Sequence, residues 1–534
     1  MKDDNILRGI FEFMTTKGKI LWVDDEIDLL RSHIIFLQDR GYQITPVTNA
    51  DDALALISEE NFDMVLLDEM LHGKDGLTAL GEIKEAFPSL PVVMVTKSEE
   101  ESLMVDAIGS KIDDYLTKPV NPSQILLTCK KILESRKITG ERISRDYIFK
   151  FNEIAQMLSV SLTWEDWIKI YTMLCEWEIE TDQHKDLGLK QTLRDQARDC
   201  NVEFGKFIEK NYPAWLSNKE ESPVLSTDLV RNFLVPHLKQ KRNVVFIVID
   251  NLRLDQWLTI APLLYPYYNI KKDIYFSILP TATPYARNAI FSGLFPSEIE
   301  AQHPTLWSNG VDDDLSLNRF EHQLLDYQLA DLGVQLKPES KYVKILDVNE
   351  AKNVANKISS YSNISLLSIV INFVDILAHS RSDSEVLREI TPDESAYRSL
   401  TKSWFEHSYI FQILKELSQR NSTVVITSDH GSVRGMRGAK VIGDRETSTN
   451  LRYKVGKSLK VDPKHAIIVK DPAKYKLPAR GINSNYLIAK EDYYFVYPTN
   501  YHHYLNYFRD SLQHGGVSMD EMILPIVTLE PKTG

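Results

Sequence analysis

Lys19-Ile-Leu-Trp-Val-Asp-Asp25 is an unbroken apolar run that stops on two carboxylates. A strand apolar on both faces belongs inside a parallel sheet covered by helices, not at a half-wetted edge. Three more stretches repeat the form: Asp63-Met-Val-Leu-Leu-Asp68, Val92-Val-Met-Val-Thr96 and Tyr115-Leu-Thr-Lys118-Pro119. Amphipathic helical patterns fill the gaps, among them Leu29 to Arg40 and Ala50 to Glu60. This alternation predicts an α/β domain with a parallel sheet over residues 18–131. In such sheets the carboxyl ends of the strands converge on one crevice. Here that brings Asp24, Asp25, Asp68, Thr96 and Lys118 together. Three converging carboxylates repel one another unless a hard cation such as Mg²⁺ neutralises them. With the cation bound, Asp68 can attack a phosphoryl donor while Thr96 and Lys118 hold the phosphoryl oxygens.

These five residues, in this order, resemble a response-regulator receiver domain, which has a flavodoxin-like fold. The resemblance implies Asp68 as phosphoacceptor, Asp24 and Asp25 as the acidic pair, Tyr115 as a switch residue and a cis Pro119 after Lys118. It also implies phosphorylation by a sensor histidine kinase and a phosphorylation-dependent homodimer.

At 534 residues the chain exceeds one ordinary domain. Its hydrophobic content of 43% and charged content of 26% are those of a globular protein. A formal charge of −13 opposes general coating of nucleic acid, so any grip on a polyanion must be local. Cys129, Cys175 and Cys200 show neither metal spacing nor a disulfide framework, which fits a reducing cytoplasm. No apolar run approaches the roughly 20 residues that span a bilayer. Met1 to Thr16 lacks the apolar centre of a signal peptide and reads as a short leader, with Met14 just before the first strand.

Residues 132–237 show few strand signals and long amphipathic patterns: Ile143 to Met157, Trp164 to Glu178 and Leu187 to Lys210. Trp167, Ile170, Tyr171, Leu174 and Trp177 recur at helical spacing and read as core. Asn211-Tyr-Pro213 and Lys219-Glu-Glu-Ser-Pro223 are expected to break the helices. A small helical bundle between two α/β domains is expected, relaying the receiver's state.

From residue 238 the buried-strand form returns. Asn243-Val-Val-Phe-Ile-Val-Ile-Asp250, Ser368-Ile-Val-Ile-Asn-Phe-Val-Asp375 and Thr423-Val-Val-Ile-Thr-Ser-Asp429 each close on a carboxylate, placing Asp250, Asp375 and Asp429 along one crevice. His379 follows Asp375 by four residues and can share its ion if the chain turns helical there. His430 follows Asp429 directly, and Gly431 is expected to relieve a tight turn. His514 lies in His-Gly-Gly516. Mixed His and Asp ligation suits Zn²⁺ or Mn²⁺ better than Ca²⁺. Two such ions about 4 Å apart activate a nucleophile and stabilise a leaving oxygen. Leu279-Pro-Thr-Ala-Thr-Pro284 offers hydroxyls at Thr281 and Thr283, of which Thr281 is assigned as nucleophile. Arg287 is expected to present a bidentate fork to phosphate oxygens.

The segments around Asp250, Thr281 with Arg287, Asp375 with His379, Asp429-His430-Gly and His514-Gly-Gly with Glu521 resemble the PglZ branch of the alkaline-phosphatase superfamily, over residues 238–534. The resemblance implies one metal on Asp375, His379 and His514. It implies a second on Asp250, Asp429, His430 and the Thr281 hydroxyl. Receiver, helices and PglZ-type domain together resemble response regulators linked to type IX secretion. That implies a phosphodiesterase acting on oligonucleotides or cyclic nucleotides, with a sigma factor and a secretion-machinery component as partners. A signalling adaptor, whose metal domain docks such a partner, and a phosphomutase are the alternatives.

Substrate hints are fewer. Arg434, Arg437, Lys440, Arg445, Arg452, Lys454, Lys457 and Lys460, countered by Asp444 and Glu446, form either a grip on a polyphosphate or a solvated loop. Tyr493, Tyr494, Phe495, Tyr501 and Tyr504 are either base-stacking rings or strand core, and His502 and His503 read as surface or supporting residues.

Overall fold

Apolar strands set the frame of both halves of the chain. The computed structural model describes residues 17–96, 112–184, 188–307, 318–338, 340–361, 363–420, 422–443, 450–479, 481 and 483–532. Residues 1–16, expected from sequence as a leader, lie outside the described residues, as do Asp444, Arg445 and Glu446 of the basic stretch. The chain divides into two units, Met1–Tyr147 and Ile148–Gly534.

In the first unit β1 (Gly18–Val23), β2 (Tyr42–Val47), β3 (Met64–Asp68), β4 (Val92–Thr96) and β5 (Asp114–Thr117) form a parallel sheet in the order β2-β1-β3-β4-β5. Alternate side chains feed two cores. Trp22, Leu66 and Val93 lie on one face, and Val65, Leu67 and Met94 on the other. Helices α1 (Arg31–Gln38), α2 (Ala50–Glu59), α3 (Gly76–Ala86) and α4 (Pro122–Cys129) accompany the strands. The starts of α2, α3 and α4 are written in the sequence. Asn49 and Asp75 accept backbone hydrogens from Asp52 and Thr78, and Asn121 with Gln124 makes a capping box. The strand order reverses between β1 and β3, so their carboxyl ends open the crevice.

Helix α5 (Ser135–Leu158) is followed by α6 (Trp164–Gln183) and α7 (Lys190–Trp215). The stretch expected as a bundle of its own falls mostly within the second unit. Trp167 packs on Phe204 at 5.3 Å, and Phe204 and Trp215 pack on Phe276 of the large sheet at 6.4 and 5.5 Å. Pro213 does not break α7, contrary to the sequence expectation; the helix runs on to Trp215. The proline forfeits one i→i−4 donor near the end of the helix and crowds the preceding turn, a cost that packing has to offset. Buried Tyr212 and Trp215 hold that turn by packing.

The second unit is built on six strands: β6 (Asn243–Ile249), β7 (Tyr268–Phe276), β8 (Lys341–Ile345), β9 (Leu366–Ile371), β10 (Ser422–Thr427) and, after the smaller strands, β18 (Ile523–Pro531). Between β10 and β18 come β11 (Val433–Gly435), β12 (Arg437–Lys440), β13 (Tyr453–Lys457), β14 (Ala466–Val469), β15 (Ser484–Ala489), β16 (Tyr493–Val496) and β17 (Ser511–Gln513). The large sheet runs β7-β18-β10-β6-β9-β8. Strands β10, β6, β9 and β8 are parallel, while β18 is antiparallel to β10 and β7. In-register pairs such as Ile426–Ile247 and Ile247–Ile369 carry the buried rows on which helices pack. Three helices matter for the site: α8 (Leu254–Ile260), α9 (Thr283–Ser292) and α10 (Phe373–Asp383). Among the described residues no helix is long and apolar enough to cross a membrane.

Candidate active site

The receiver crevice gathers the residues that strand-end reasoning named. Asp24, Asp68 and Thr96 are buried at the ends of β1, β3 and β4. The Lys118 ammonium reaches Asp24 at 3.0 Å and Asp68 at 2.8 Å, and the Lys118–Pro119 bond is cis. Burial pushes the Asp68 carboxyl up, against the pull of Lys118. For Lys118 burial pulls the other way, but hydrogen bonds to Asp68 and Asp24 carry its ammonium above the ordinary lysine value. Asp24, Asp25 and Asp68 offer oxygens within 4.8 Å of one another, and Asp68 Oδ1 is buried with no hydrogen-bond partner. An all-oxygen set with an orphaned carboxylate atom fits a hard cation. Tyr115 is 46% exposed.

In the second unit, β6 delivers Asp250, β10 delivers Asp429 and His430, and β17 delivers His514. Asp375 differs from expectation. Strand β9 ends at Ile371, and Asp375 stands in the first turn of α10, which sets His379 one turn further along the same helix. The structure brings six of the named residues into two groups whose ligand atoms lie within 4.8 Å: Asp375 with His379 and His514, and Asp250 with Asp429 and His430. In the first, His379 Nε2 lies 3.2 Å from His514 Nε2 and 3.4 Å from Asp375 Oδ1. In the second, His430 Nε2 lies 3.5 Å from Asp250 Oδ1 and 3.8 Å from Asp429 Oδ2. The two groups adjoin, because the His430 and His514 rings stack at 4.1 Å.

Each carboxylate of the second group is hydrogen-bonded through one oxygen only. Asp250 Oδ2 accepts from Arg287 at 2.7 Å and Asn372 at 2.8 Å; Asp429 Oδ1 accepts from the His430 amide at 3.1 Å. Their other oxygens, Asp250 Oδ1 and Asp429 Oδ2, are buried without a hydrogen-bond partner and are the ones nearest His430 Nε2. Protein donors that fix one oxygen and leave its twin toward an imidazole are what a divalent cation requires of its surroundings. Burial, then the charge of Asp250, drives the Asp429 carboxyl up, and burial raises Asp375 to about 6. Asp250 is held low, because Arg287 and His430 outweigh the effect of burial. Burial lowers His430, and burial with the neighbouring His430 and His379 lowers His514 further, so both imidazoles favour the neutral, ligating form.

Two of the residues named from sequence stand in contacts that the sequence did not suggest. Arg287 is 2% exposed and spends its guanidinium on Glu321 at 2.7 Å and Asp250 at 2.7 Å, with Asp429 at 3.7 Å. These contacts engage the guanidinium that was expected to fork a phosphate. The Thr281 hydroxyl is fully buried, donating to Gly516 O at 2.7 Å and accepting from Gly515 N at 3.2 Å. The hydroxyl that meets the ligand cluster is that of Thr283, the half-buried first residue of α9, 2.9 Å from His430 Nε2.

The supporting residues went unnamed at the sequence level. Asn251, at φ 66°, donates to Asp375 Oδ1 at 3.1 Å, and Glu321 holds Arg287. An Asn just past an apolar strand is the signal that was available for Asn251 and Asn372. Gly431 has no positive φ; what the turn needs from it is room, since a Cβ there would lie 2.0 Å from Asp520 O. Glu521 does not face either metal group. It accepts from Gly516 N at 2.8 Å and pairs with buried Arg452, fixing the loop after His514.

Most of the basic stretch is structural. Arg434 pairs with Asp510, Arg437 with Glu491 and Asp492, and Arg452 and Lys454 are buried, while Lys440, Lys457 and Lys460 are exposed. Of the aromatics, Tyr494 and Phe495 are core, whereas Tyr504 is 40% exposed.

A phosphoacceptor-type crevice in one unit and a metal-type crevice in the other define a response regulator with an alkaline-phosphatase-like effector. Comparison with known families agrees. Residues 20–130 match the response regulator receiver domain, 137–216 the PorX response regulator linker domain, and 229–529 the BREX system PglZ alkaline phosphatase-like domain. The chain belongs to the PglZ alkaline-phosphatase-like family, and its order of domains is that of a PorX-type response regulator. Membership of that superfamily implies use of metal ions, and the receiver implies phosphorylation by a sensor kinase.

Curated relatives match through the receiver. The alginate biosynthesis transcriptional regulatory protein AlgB of Pseudomonas aeruginosa is 37% identical over 124 residues, 23% of this chain and 28% of that protein. The transcriptional regulatory protein ResD of Bacillus subtilis is 36% identical over 126 residues, 24% of this chain and 52% of that protein. The matches thus span from about a quarter to about half of those relatives' own length. Among solved structures, the receiver domain of NtrX from Brucella abortus is 37% identical, with a TM-score of 0.21, covering 22% of this chain and 98% of that one.

Proposed function

We propose that the second unit is a phosphodiesterase holding two zinc ions, with manganese as the substitute metal, and that it acts on oligonucleotides or cyclic nucleotides. The observation that carries this is the one-sided hydrogen bonding of Asp250 and Asp429, whose oxygens without a hydrogen bond lie near His430 beside a second Asp-His-His group. Two bound divalent ions would supply Lewis acidity to a hydroxyl and neutralise charge on the leaving oxygen. The chain's own part falls to Thr283 rather than Thr281. Its Oγ attacks phosphorus, its proton passes to water, the Thr283–O–P bond forms and the ester bond to the leaving alkoxide breaks. Water then cleaves the phosphothreonine, restoring the hydroxyl. Asn251, Asn372 and Arg287 keep the carboxylates oriented throughout. A monoester dianion would seek an extra cation, and Arg287 is spent on Asp250 and Glu321. That favours diesters.

Asp68 is the phosphoacceptor with Mg²⁺ on Asp24 and Asp25, a sensor histidine kinase is the donor, and phosphorylation drives a homodimer in the cytoplasm. Control of type IX secretion, through a sigma factor and a secretion-machinery component, is the output this arrangement serves. The test pairs metal analysis of the purified protein with turnover of bis(p-nitrophenyl) phosphate against p-nitrophenyl phosphate. About two zinc or manganese ions per chain and preference for the diester are expected; a metal-free protein, or equal monoester turnover, would overturn the reading.

A further inference from the structure

Helix α11 (Tyr501–Phe508) reads Tyr-His-His-Tyr-Leu-Asn-Tyr-Phe: six aromatic or imidazole rings in eight residues, and no acid. Its inner side is Leu505, whose Cδ1 would lie 2.3 Å from a Cβ added at Gly438 of β12, and Tyr501, whose hydroxyl reaches Gly438 O at 3.5 Å. Its outer side is His502, His503, Tyr504 and Tyr507, all exposed, with Tyr507 52% accessible. The rings are ordered against one another. His503 lies along Tyr507 at 6.2 Å, and Tyr504 along Phe508 at 5.9 Å with planes 13° apart.

Charge and place both suit a polyanion. Arg509, directly after the helix, and Lys440, at the end of β12, are exposed. The acids close by are occupied: Asp510 by Arg434 and Arg381, Glu491 and Asp492 by Arg437. In a chain of formal charge −13 this leaves a local aromatic and cationic face. Strands β11 and β17 pair antiparallel from Val433–Gln513 to Gly435–Ser511. His430 and His514 lie off one end of this ribbon, and α11 lies off the other. At about 3.3 Å per residue the ribbon spans roughly 10 Å, a distance that a few nucleotides bridge.

We propose that α11 is a stacking platform for the bases of a single-stranded oligonucleotide whose scissile phosphate lies at His430 and His514. This rests on the diesterase reading and selects, between its two substrate classes, the oligonucleotide. Stacking on tyrosine accepts any base, because every base has a π face, and the exposed cations follow the backbone.

The test replaces Tyr504 and Tyr507 with alanine, singly and together, in the full-length metal-loaded protein. KM for a short single-stranded DNA or RNA is expected to rise about tenfold per ring, with kcat and turnover of bis(p-nitrophenyl) phosphate unchanged. Tyr504→Trp should restore the wild-type KM. Binding of a fluorescein-labelled oligonucleotide, followed by anisotropy, should weaken in parallel and be independent of cleavage. If wild type binds the oligonucleotide through α11 but hydrolyses no diester, the catalytic reading fails and the platform stands. If the alanine variants keep wild-type KM and anisotropy, the platform is wrong. Loss of self-association with unchanged oligonucleotide binding would also overturn it, making α11 a surface between copies.

Discussion

The Tyr212 hydroxyl of α7 accepts the Leu279 amide hydrogen at 2.8 Å, which ties a helix of the linker segment to the loop that carries Thr281 and Thr283. A second tie serves the other loop: Asn201 Oδ1 accepts from Met519 N at 2.8 Å, two residues before the Glu521 that fixes Gly516. Tyr212→Phe removes one buried acceptor without opening a cavity, leaving the Leu279 N–H unsatisfied at a cost of about 1–3 kcal/mol. Part of that cost is expected in turnover, with kcat falling about tenfold while KM and metal content hold. Tyr268→Phe is the control. It loses a bond to Leu414 O at the far end of β7, so it should lower Tm comparably and leave kcat alone. Equal kcat in both variants would reduce Tyr212 to a packing residue.

Two hydroxyls, two residues apart, are set against each other by the proposal that Thr283 is the nucleophile and Thr281 part of the scaffold. Thr283→Ala is expected to lower kcat on a diester about a thousandfold or more with zinc content unchanged, and Thr283→Ser to retain measurable turnover. Thr281→Ala should cost about 1–3 kcal/mol of stability, because Gly515 N and Gly516 O lose their partner. Its kcat should stay within about tenfold of wild type. Steady-state kinetics beside thermal melts separate the two, and the reverse pattern would return the nucleophile to Thr281.

What the sequence made legible follows from how each residue is placed. Asp24, Asp68, Asp250 and Asp429 end or follow fully apolar runs, and an apolar run in a parallel sheet has a fixed carboxyl end. His430 and His514 sit beside them in short turns, so they too could be named. Where side-chain direction decides the role, the sequence is silent. Arg287 turns toward Glu321, 34 residues on, and away from the crevice. Arg437 and Arg452 meet Asp492 and Glu521, 55 and 69 residues away, so their apparent surplus charge is already matched. Asp375 looked like a strand end because Phe373 and Val374 continue the apolar run, whereas the helix has already begun at Phe373. Pro213 reads as a breaker until tertiary packing of Tyr212 and Trp215 is known.

Acid stability should report the contact between α7 and the C-terminal domain. Lys190, at the start of α7, bonds Asp393, which also caps the helix Glu394–His407 through Ala396 N. Partial burial would raise the Asp393 carboxyl, but the Lys190 hydrogen bond, the Ala396 amide and the charge of Lys190 carry it down to about 2. A carboxyl held lower in the folded chain than in the unfolded one stabilises above the unfolded value, near 4, and loses that contribution as pH falls toward 2. Asp393→Asn keeps the cap and removes the charge. It should cost about 1–2 kcal/mol at pH 6 and almost nothing near pH 2, read as the difference in urea midpoints between variant and wild type. A pH-independent difference would assign the effect to the cap.

Arg287 offers the sharpest contrast between a substrate-binding and an anchoring role. Its guanidinium is buried among Asp250, Glu321 and Asp429, and the carboxylates it serves are buried with it. Arg287→Met keeps much of the volume and leaves those acids without their cation, which costs about 3–5 kcal/mol when one partner of a buried pair is lost. In the presence of chelator the variant should therefore melt well below wild type. Saturating zinc should narrow the gap, because a divalent ion near Asp250 and Asp429 replaces part of the missing charge and stabilises the folded form by its own binding. A guanidinium that gripped substrate phosphate would behave differently. The variant would then melt like wild type with or without zinc, and the loss would appear as a raised KM alone. Melting curves in chelator and in zinc, beside KM for the diester, decide between the two.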